Sequence, residues 1–276
     1  MLLAIYPLVY SLNLSLYNIS LAVSGTGEFL GSYNYAFALT DRFFKESLLI
    51  SLRFLCLAVG LEFILGLGIS ILLSNKLMKR RWVVVRSRGF FLLPTMMAPV
   101  VIGLTFRLMY HPEFGVLNYF LTQLRIISRN IVWLGEPDFA LFSLVVADVW
   151  QWTPFIALVM LAGFLAVPEE LHEAAEMDGA SWFQSFLHIT CPLSKRVILI
   201  ALLIRTMDAL KTFDVVYTLT RGGPGRMTEL LSFFIYRQGF RYASYSYAAA
   251  TSILLAIVII GIATVLVTVL RRTMRA

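Results

Sequence analysis

The sequence predicts an all-α membrane protein with six membrane-spanning helices. Three observations carry that expectation. Of 276 residues, 59% are hydrophobic and only 14% charged. The mean hydropathy is +0.80, far above that of a soluble domain. Apolar runs close to the roughly 20 residues needed to cross hydrocarbon recur along the whole chain. No stretch of about 100 residues has the mixed composition of a soluble core, so an energy source or a receptor has to be a separate chain. The length also excludes ten to twelve spans in one chain.

The runs lie at 1–19, 48–73, 90–110, 139–166, 197–217 and 244–270. The first is weak, because Ser11, Asn13, Ser15 and Asn18 interrupt it. An even number of spans puts both termini on one side. The loop at 74–89 holds Lys76, Lys79, Arg80, Arg81, Arg86 and Arg88 with no acid, which predicts a cytoplasmic position. The segments on that side carry 11 basic residues in 52, against 8 in the 82 residues of the opposite loops. Both termini are therefore expected inside. The net charge of +7 is read as membrane-flanking charge rather than as a nucleic-acid surface.

Several chemistries find no support. Cys56 and Cys191 have no metal spacing and imply no disulfide framework. His111, His172 and His188 show no His-Glu-x-x-His pairing, and Ser24 with Gly25 has no partner histidine in a span, so neither a catalytic nor a metal site is predicted. The first residues lack the basic start and small-residue cleavage site of a secretory signal. The stretch Arg221, Gly222, Gly223, Pro224, Gly225 predicts a tight turn in an aqueous outer loop. It is not a phosphate-binding loop, since the Gly-x4-Gly-Lys-Ser/Thr spacing occurs nowhere in the chain.

Residues 167–196 break the charge rule. They hold Glu169, Glu170, Glu173, Glu176 and Asp178 against Lys195 and Arg196, a local net charge of −3 on the predicted cytoplasmic side. The local pattern is a helical hairpin. Pro168 suits a first helical position, Glu169 and Glu170 suit the positive end of a helix dipole, and Gly179 stops the helix. Ser181 with Gln184 forms a capping box for a second helix, whose apolar face carries Trp182, Phe183, Phe186, Leu187 and Ile189 and which Pro192 is expected to help end. A hairpin lying on lipid would present Lys and Arg, so the acids favour a protein partner.

Here a resemblance becomes specific. Glu173, Ala174, Ala175, then Asp178, Gly179, Ala180, then Phe186, Ile189 and Pro192 resemble the Glu-Ala-Ala loop of permease subunits in binding-protein-dependent ABC importers, closest to the sugar-type branch of the maltose and glycerol phosphate importers. Further similarity covers most of the chain: Leu93, Pro94 and Pro99 through Tyr110 to Gly115 and Asn118; Trp150, Trp152, Thr153, Pro154 and Phe155; Phe213 and Asp214; and Leu219, Thr220 and Gly222 to Gly225, then Tyr236 and Phe240. Two departures stand out: Cys191 where the family often has Leu, and Arg196 where it often has a second proline. The family's first span commonly begins well before the Tyr6, Pro7, Leu8 stretch, so the first span here is expected to be partial.

The resemblance implies the type I ABC importer permease fold in a bacterial cytoplasmic membrane. Residues 1–43 would form a first span and outer loop, 44–271 the transmembrane domain with its coupling loop at 167–196, and 272–276 a cytoplasmic tail. It implies a coupling site of Glu173, Ala174, Ala175, Asp178, Gly179, Ala180, Trp182, Phe186 and Pro192 that docks into an ATP-binding subunit. Trp182 and Phe186 would be the buried anchors, with Glu173 and Asp178 at the rim. ATP and Mg belong to that partner, and this chain holds no cofactor. The other implied partners are a second, different permease, a second ATP-binding subunit, an extracytoplasmic solute-binding protein and the lipid bilayer, with no nucleic acid. The cargo class is a carbohydrate, polyol or glycerol phosphate.

Charges within spans cost roughly 2.5–3.5 kcal/mol each near the membrane centre on insertion scales. The spans hold Arg53, Glu62, Arg107, Asp148, Arg205, Asp208, Lys211 and Asp214, four of each sign. Arg205, Lys211 and Arg107 suit ion pairs that order the bundle. Asp148, Asp208 and Asp214, with Phe213, suit a translocation path, since carboxylates accept hydrogen bonds from sugar hydroxyls. Trp150 and Trp152 suit either stacking on a sugar face or anchoring at the membrane interface. An ion-coupled secondary transporter is the alternative reading, but it would need an ion site within the spans and has no use for an acidic cytoplasmic hairpin.

Overall fold

The computed structural model describes residues 2–19, 27–74, 89 and 92–275. The basic run from Lys76 to Arg88, on which the inside orientation leans most, lies outside the described residues, as do Ser24 and Gly25. The chain is mainly helical. In order come α1 (Leu2–Ser15), a two-stranded antiparallel ribbon of β1 (Tyr17–Asn18) and β2 (Glu28–Phe29), α2 (Tyr33–Thr40), α3 (Arg42–Ser74), α4 (Pro99–Met109) and α5 (Val116–Gln123). There follow α6 (Pro137–Leu165), α7 (Glu169–Met177), α8 (Trp182–Ala209), α9 (Asp214–Leu219), α10 (Leu231–Tyr236) and α11 (Tyr245–Arg275).

Among the described residues four helices are long and apolar enough to cross a membrane: α3, α6, α8 and α11. The runs predicted at 48–73, 139–166 and 244–270 correspond to α3, α6 and α11. The run at 1–19 yields only the 14 residues of α1, about 21 Å at 1.5 Å per residue, because the chain leaves the helix after Ser15 to pair as β1. The run at 90–110 is interrupted. Residues 92–96 are helical, Met97 and Ala98 are not, and α4 restarts at Pro99, where a missing N–H costs nothing at a helix start.

The fifth span differs most from expectation. Hydropathy puts it at 197–217, with Pro192 helping to end a separate hairpin helix. Instead α8 runs from Trp182 through Pro192 to Ala209. The physical reason lies in the turn before the proline. Residues Phe186–Thr190 form a π-helical turn, in which the Cys191 N–H reaches back to the Phe186 carbonyl. That wider turn accommodates a ring lacking an N–H, so the helix continues rather than breaking. Lys211 and Asp214 consequently lie beyond the end of α8, not on it.

The chain divides into two compact units. The first comprises Met1–Leu55, Pro99–Val145 and Leu210–Ile262, and the second Cys56–Ala98, Val146–Ala209 and Ala263–Ala276. In the first, Ala38, Phe44, Leu231, Phe234 and Leu255 form a buried cluster. The Leu231 N–H, left without an intrahelical partner at the start of α10, donates to Ser51 Oγ on α3 at 2.7 Å. Gly103 lets α4 approach α9 closely, since a Cβ there would lie 1.8 Å from Thr218 Oγ1. In the second unit the cluster is Ile156, Met160, Phe164, Phe186 and Ala201. A Cβ at Gly66 would meet Ile156 at 2.7 Å, which fixes the contact of α3 with α6 there.

These contacts predict that Gly103→Ala costs roughly 1–3 kcal/mol, as overpacking does. The expected outcome is a lower thermal midpoint of the detergent-purified chain, followed by fluorescence. An unchanged midpoint would mean that α4 and α9 do not pack this closely.

Candidate functional site

The acidic hairpin is built as the sequence predicts, with local refinements. Pro168 is the residue that caps α7 (φ −56°, ψ 133°) rather than its first helical residue, and Glu169 and Glu170 occupy the first turn. At the other end Gly179 has φ +79°. The Gly179 N–H donates to the Glu176 carbonyl at 3.1 Å and the Ala180 N–H to the Ala175 carbonyl at 2.9 Å, the paired bonds of a Schellman motif. A side chain at position 179 would have open space but a strained backbone. Ser181 and Gln184 then form both halves of the capping box that starts α8. His172 Nδ1 and Ser185 Oγ, 2.8 Å apart, tie the two helices together.

No residue of α7 is buried. Glu173, Ala174, Asp178 and Gly179 are exposed, and Ala175 and Ala180 partly so. Of the two expected aromatic anchors, only Trp182 is presented outward. Phe186 is buried within this chain: its ring meets Phe164 edge-on at 5.4 Å and stacks on Trp182 at 5.5 Å. Met177, 88% exposed in the middle of acids, and Phe183, 63% exposed, are further apolar residues on the hairpin surface, with Leu171 and Leu187 also exposed. Met177 was missed; its signal was a long apolar side chain set between Glu176 and Asp178. Between the hairpin and the end of α6 lies a cavity of about 640 Å³, lined among others by Ser74, Phe164, His172, Glu176 and Trp182.

Farther along α8, in the same unit, Arg205 gathers three carboxylates. Its Nε donates to Glu62 Oε2 at 2.7 Å and its Nη2 to Glu62 Oε1 at 2.9 Å, a bidentate pairing with α3. Nη2 also donates to Asp148 Oδ2 on α6. Nη1 reaches Asp208 Oδ2 at 3.4 Å, a pairing across one turn of α8. The guanidinium lies 5.0 Å from the centre of the Trp152 ring. Glu62, Asp148 and Arg205 are essentially inaccessible, whereas the Asp208 side chain is 43% exposed.

This arrangement corrects one expectation and adds a residue. Asp148 is no open wall of a path, because its carboxylate is enclosed and engaged by Arg205. Glu62 was noted as a charge but not assigned as the partner; an acid alone in the apolar run of α3 was the available signal. The other expected path residues divide between the units. Trp150 (exposed), Trp152 and Asp208 belong with the cluster in the second. Phe213 and Asp214 belong to the first, where Phe213 packs against Tyr236 at 5.1 Å and Asp214 opens α9. Arg107 makes no recorded ion pair among the described residues; its Nη1 donates to the Thr218 carbonyl at 3.3 Å. Beside the break at Met97, Gln151 Nε2 donates to the Met97 carbonyl at 3.3 Å, and Thr95 Oγ1 to the Gln151 carbonyl at 2.9 Å. The buried Gln151 Oε1 and Thr153 Oγ1 have no partner among the described residues; two positions apart, they point to different sides of α6.

The glycine-rich turn belongs to the first unit. Gly222 (φ +80°) passes so close to Phe233 that a Cβ would lie 3.0 Å from its ring. Past the turn, buried Glu229 is paired with Arg226 and lies 3.2 Å from Arg237 Nη1. Burial pushes the Glu229 carboxyl above the ordinary glutamate value, while Arg237 and Arg226 pull it back.

Comparison with known proteins is consistent across sequence and fold. Residues 63–276 match the family described as binding-protein-dependent transport system inner membrane component. The chain is 41% identical over 236 residues to the trehalose/maltose transport system permease protein MalF of Thermococcus litoralis, covering 84% of this chain and 77% of that protein. It is 32% identical over 254 residues to the sulfoquinovosyl glycerol transport system permease protein SmoG of Agrobacterium fabrum, covering 92% and 80%. Its fold resembles a chain of the bacterial alginate ABC transporter solved with an alginate pentasaccharide-bound periplasmic protein, with a TM-score of 0.78 at 22% identity, over 88% of this chain and 83% of that one.

The cluster makes a prediction independent of these similarities. Arg205→Leu leaves Glu62 and Asp148 buried without their cation and should cost about 3–5 kcal/mol. A large fall in thermal midpoint is expected. The triple replacement Arg205→Leu, Glu62→Leu, Asp148→Leu should recover much of it; a midpoint unaffected by the single change would show that the guanidinium is not the group holding these helices.

Proposed function

The chain belongs to the binding-protein-dependent transport system inner membrane components, as a multi-pass permease of the sugar-type ABC importer branch, and from that premise we propose how it works. It carries a carbohydrate, or a related polyol or glycerol phosphate, into the cytoplasm by alternating access driven by ATP on partner subunits. The cargo class rests on relatives named for trehalose, maltose and sulfoquinovosyl glycerol. The partners proposed are a second, different permease, two ATP-binding subunits that hold ATP and Mg, and a solute-binding protein of the kind seen with the alginate transporter.

The observation that carries the mechanism is the hairpin of α7 and α8. It exposes acids and several large apolar residues on a rigid frame, the combination that suits docking on another protein. Trp182, Phe183 and Met177 would fill the groove of an ATP-binding subunit, with Glu173 and Asp178 at the rim. Because α8 is unbroken from Trp182 to Arg205, a docked hairpin that moves takes Arg205 with it, and through Arg205 the segments of α3 and α6 that carry Glu62 and Asp148. ATP-driven approach of the partner subunits would thereby become a tilt of membrane helices, a two-state change biased by nucleotide. With the hairpin facing the ATP-binding subunits, the hairpin side of the membrane is the cytoplasm, and both termini lie there. Asp208, Trp150 and Trp152 are the path residues retained in this reading, with Phe213 and Asp214 in the other unit; Asp148 serves by holding Arg205.

Reconstitution with its partners tests this. Glu173→Gln and Gly179→Pro should leave the chain inserted and paired with the second permease, and should abolish most solute-stimulated ATP hydrolysis and uptake. Loss of about 1.4 kcal/mol of docking energy corresponds to about tenfold in affinity. Proline cannot adopt φ +79°. Normal uptake by the Gly179→Pro variant contradicts the proposal, and uptake that persists without any ATP-binding subunit would favour the ion-coupled alternative.

A further inference from the structure

Helix α5 is fixed in its rotation by one polar residue. On its inner side, between half-buried Leu117 and Leu121, Asn118 is 2% exposed; its Nδ2 donates to the Pro112 and Ile131 carbonyls at 3.1 and 2.9 Å, and its Oδ1 accepts from Ile131 N–H and Trp133 Nε1–H at 3.3 and 2.9 Å. Every hydrogen-bonding position of that amide is used. The opposite face carries Val116, Tyr119, Phe120 and Leu124, spaced at i, i+3, i+4 and i+8, and all are exposed. The helix cannot roll to hide them. Gly115, which precedes α5, sits so tightly that a Cβ would lie 2.2 Å from the His111 carbonyl oxygen and 2.5 Å from that of Met109.

That last contact also says where the helix is. Met109 ends α4, a short apolar helix, so α5 starts against the end of that helix, in a connection that leads at Pro137 into α6, which is long enough to cross a membrane. Within the 110–136 connection the two cations, Arg125 and Arg129, follow directly on α5, whereas the two acids, Glu113 and Glu136, stand toward its ends. Arg125 occupies the left-handed residue of the turn that ends α5 (φ 55°), with the Ile126 N–H donating to the Leu121 carbonyl at 2.9 Å. A glycine would suit that backbone better; the chain carries a cation there.

We propose that α5 lies in the plane of the membrane interface, with Val116, Tyr119, Phe120 and Leu124 in the acyl boundary and Arg125 and Arg129 against anionic phospholipid headgroups. Aromatic residues at the level of the headgroups and basic residues that reach phosphate are the two signatures of such a helix, and both stand on this one at the boundary of a span. The surface thus anchors the 110–136 connection to lipid, while the inner side keeps Leu117, Leu121 and the Asn118–Trp133 hydrogen bond against the protein.

Nitroxide labels at single cysteines test it, in the full chain with its co-purifying subunits and with Cys56 and Cys191 replaced by serine. The assembly is placed in nanodiscs of phosphatidylcholine alone or with phosphatidylglycerol. Labels at Tyr119→Cys, Phe120→Cys and Leu124→Cys should be oxygen-accessible and shielded from a water-soluble nickel chelate, with a ratio of the two several-fold higher than at Thr122→Cys. Phosphatidylglycerol should raise that ratio, and Arg125→Gln with Arg129→Gln should remove the increase. Nickel access at 119 and 120 would place the stripe in water; exclusion of both reagents would place it under a protein. Either result, or a phosphatidylglycerol effect that survives loss of both arginines, overturns the proposal.

Discussion

A guanidinium in an apolar interior has to be met by carboxylates held at hydrogen-bonding distance, and Arg205 imposes that condition on three segments far apart in the chain. Glu62 on α3 supplies a bidentate partner, Asp148 on α6 a second, and Asp208 a third from the next turn of α8. A lysine could not satisfy this geometry, because its single ammonium lacks the planar fork. The cost of dehydrating these charges makes the cluster a poor source of net stability compared with packed hydrocarbon. What it confers is specificity of arrangement: slippage of α3, α6 or α8 in this unit would strand a buried charge.

The same helix that carries Arg205 begins as the second limb of the acidic hairpin. At 1.5 Å per residue the 28 residues of α8 span about 42 Å without a break. Continuity depends on the π turn at Phe186–Thr190, which absorbs Pro192. It depends also on Phe186, whose burial against Phe164 fastens the start of α8 to the end of α6. An aromatic that faces inward stiffens the hairpin, while Trp182, Phe183 and Met177 face outward. The division of labour among these residues is mechanical: some hold the frame, and others offer a surface.

The legibility of this structure in its sequence follows the range of the interactions. Local signals read well. Gly179, the Ser181 and Gln184 capping box and the acidic first turn of α7 each act within four or five residues, and each forms as expected. Long apolar runs likewise marked α3, α6 and α11. The boundaries of α8 did not follow from hydropathy, because Pro192 reads as a stop unless the preceding turn widens. The partnership of Arg205 with Glu62, 143 positions away, is a tertiary fact with only a composition cue. Asp148 read as a path residue for the same reason, since a buried and an open carboxylate look identical in sequence. The exposed stripe of α5 was hidden by another ambiguity, as its periodicity alone does not say which face is buried.

In the proposed mechanism the hairpin and the Arg205 cluster move as parts of one rigid unit. Pulsed dipolar spectroscopy between nitroxides at Met177→Cys, on the hairpin, and Leu65→Cys, one turn past Glu62 on α3, tests it directly in the reconstituted importer. Both native residues are exposed, so labelling should leave the packing intact. A rigid unit gives the same narrow distance distribution without nucleotide and with ATP and vanadate, and a broadened one when Arg205 is replaced by leucine. A distance that shifts with nucleotide in the unmodified cluster would contradict it, because the hairpin would then be moving independently of the helices it is held to drive.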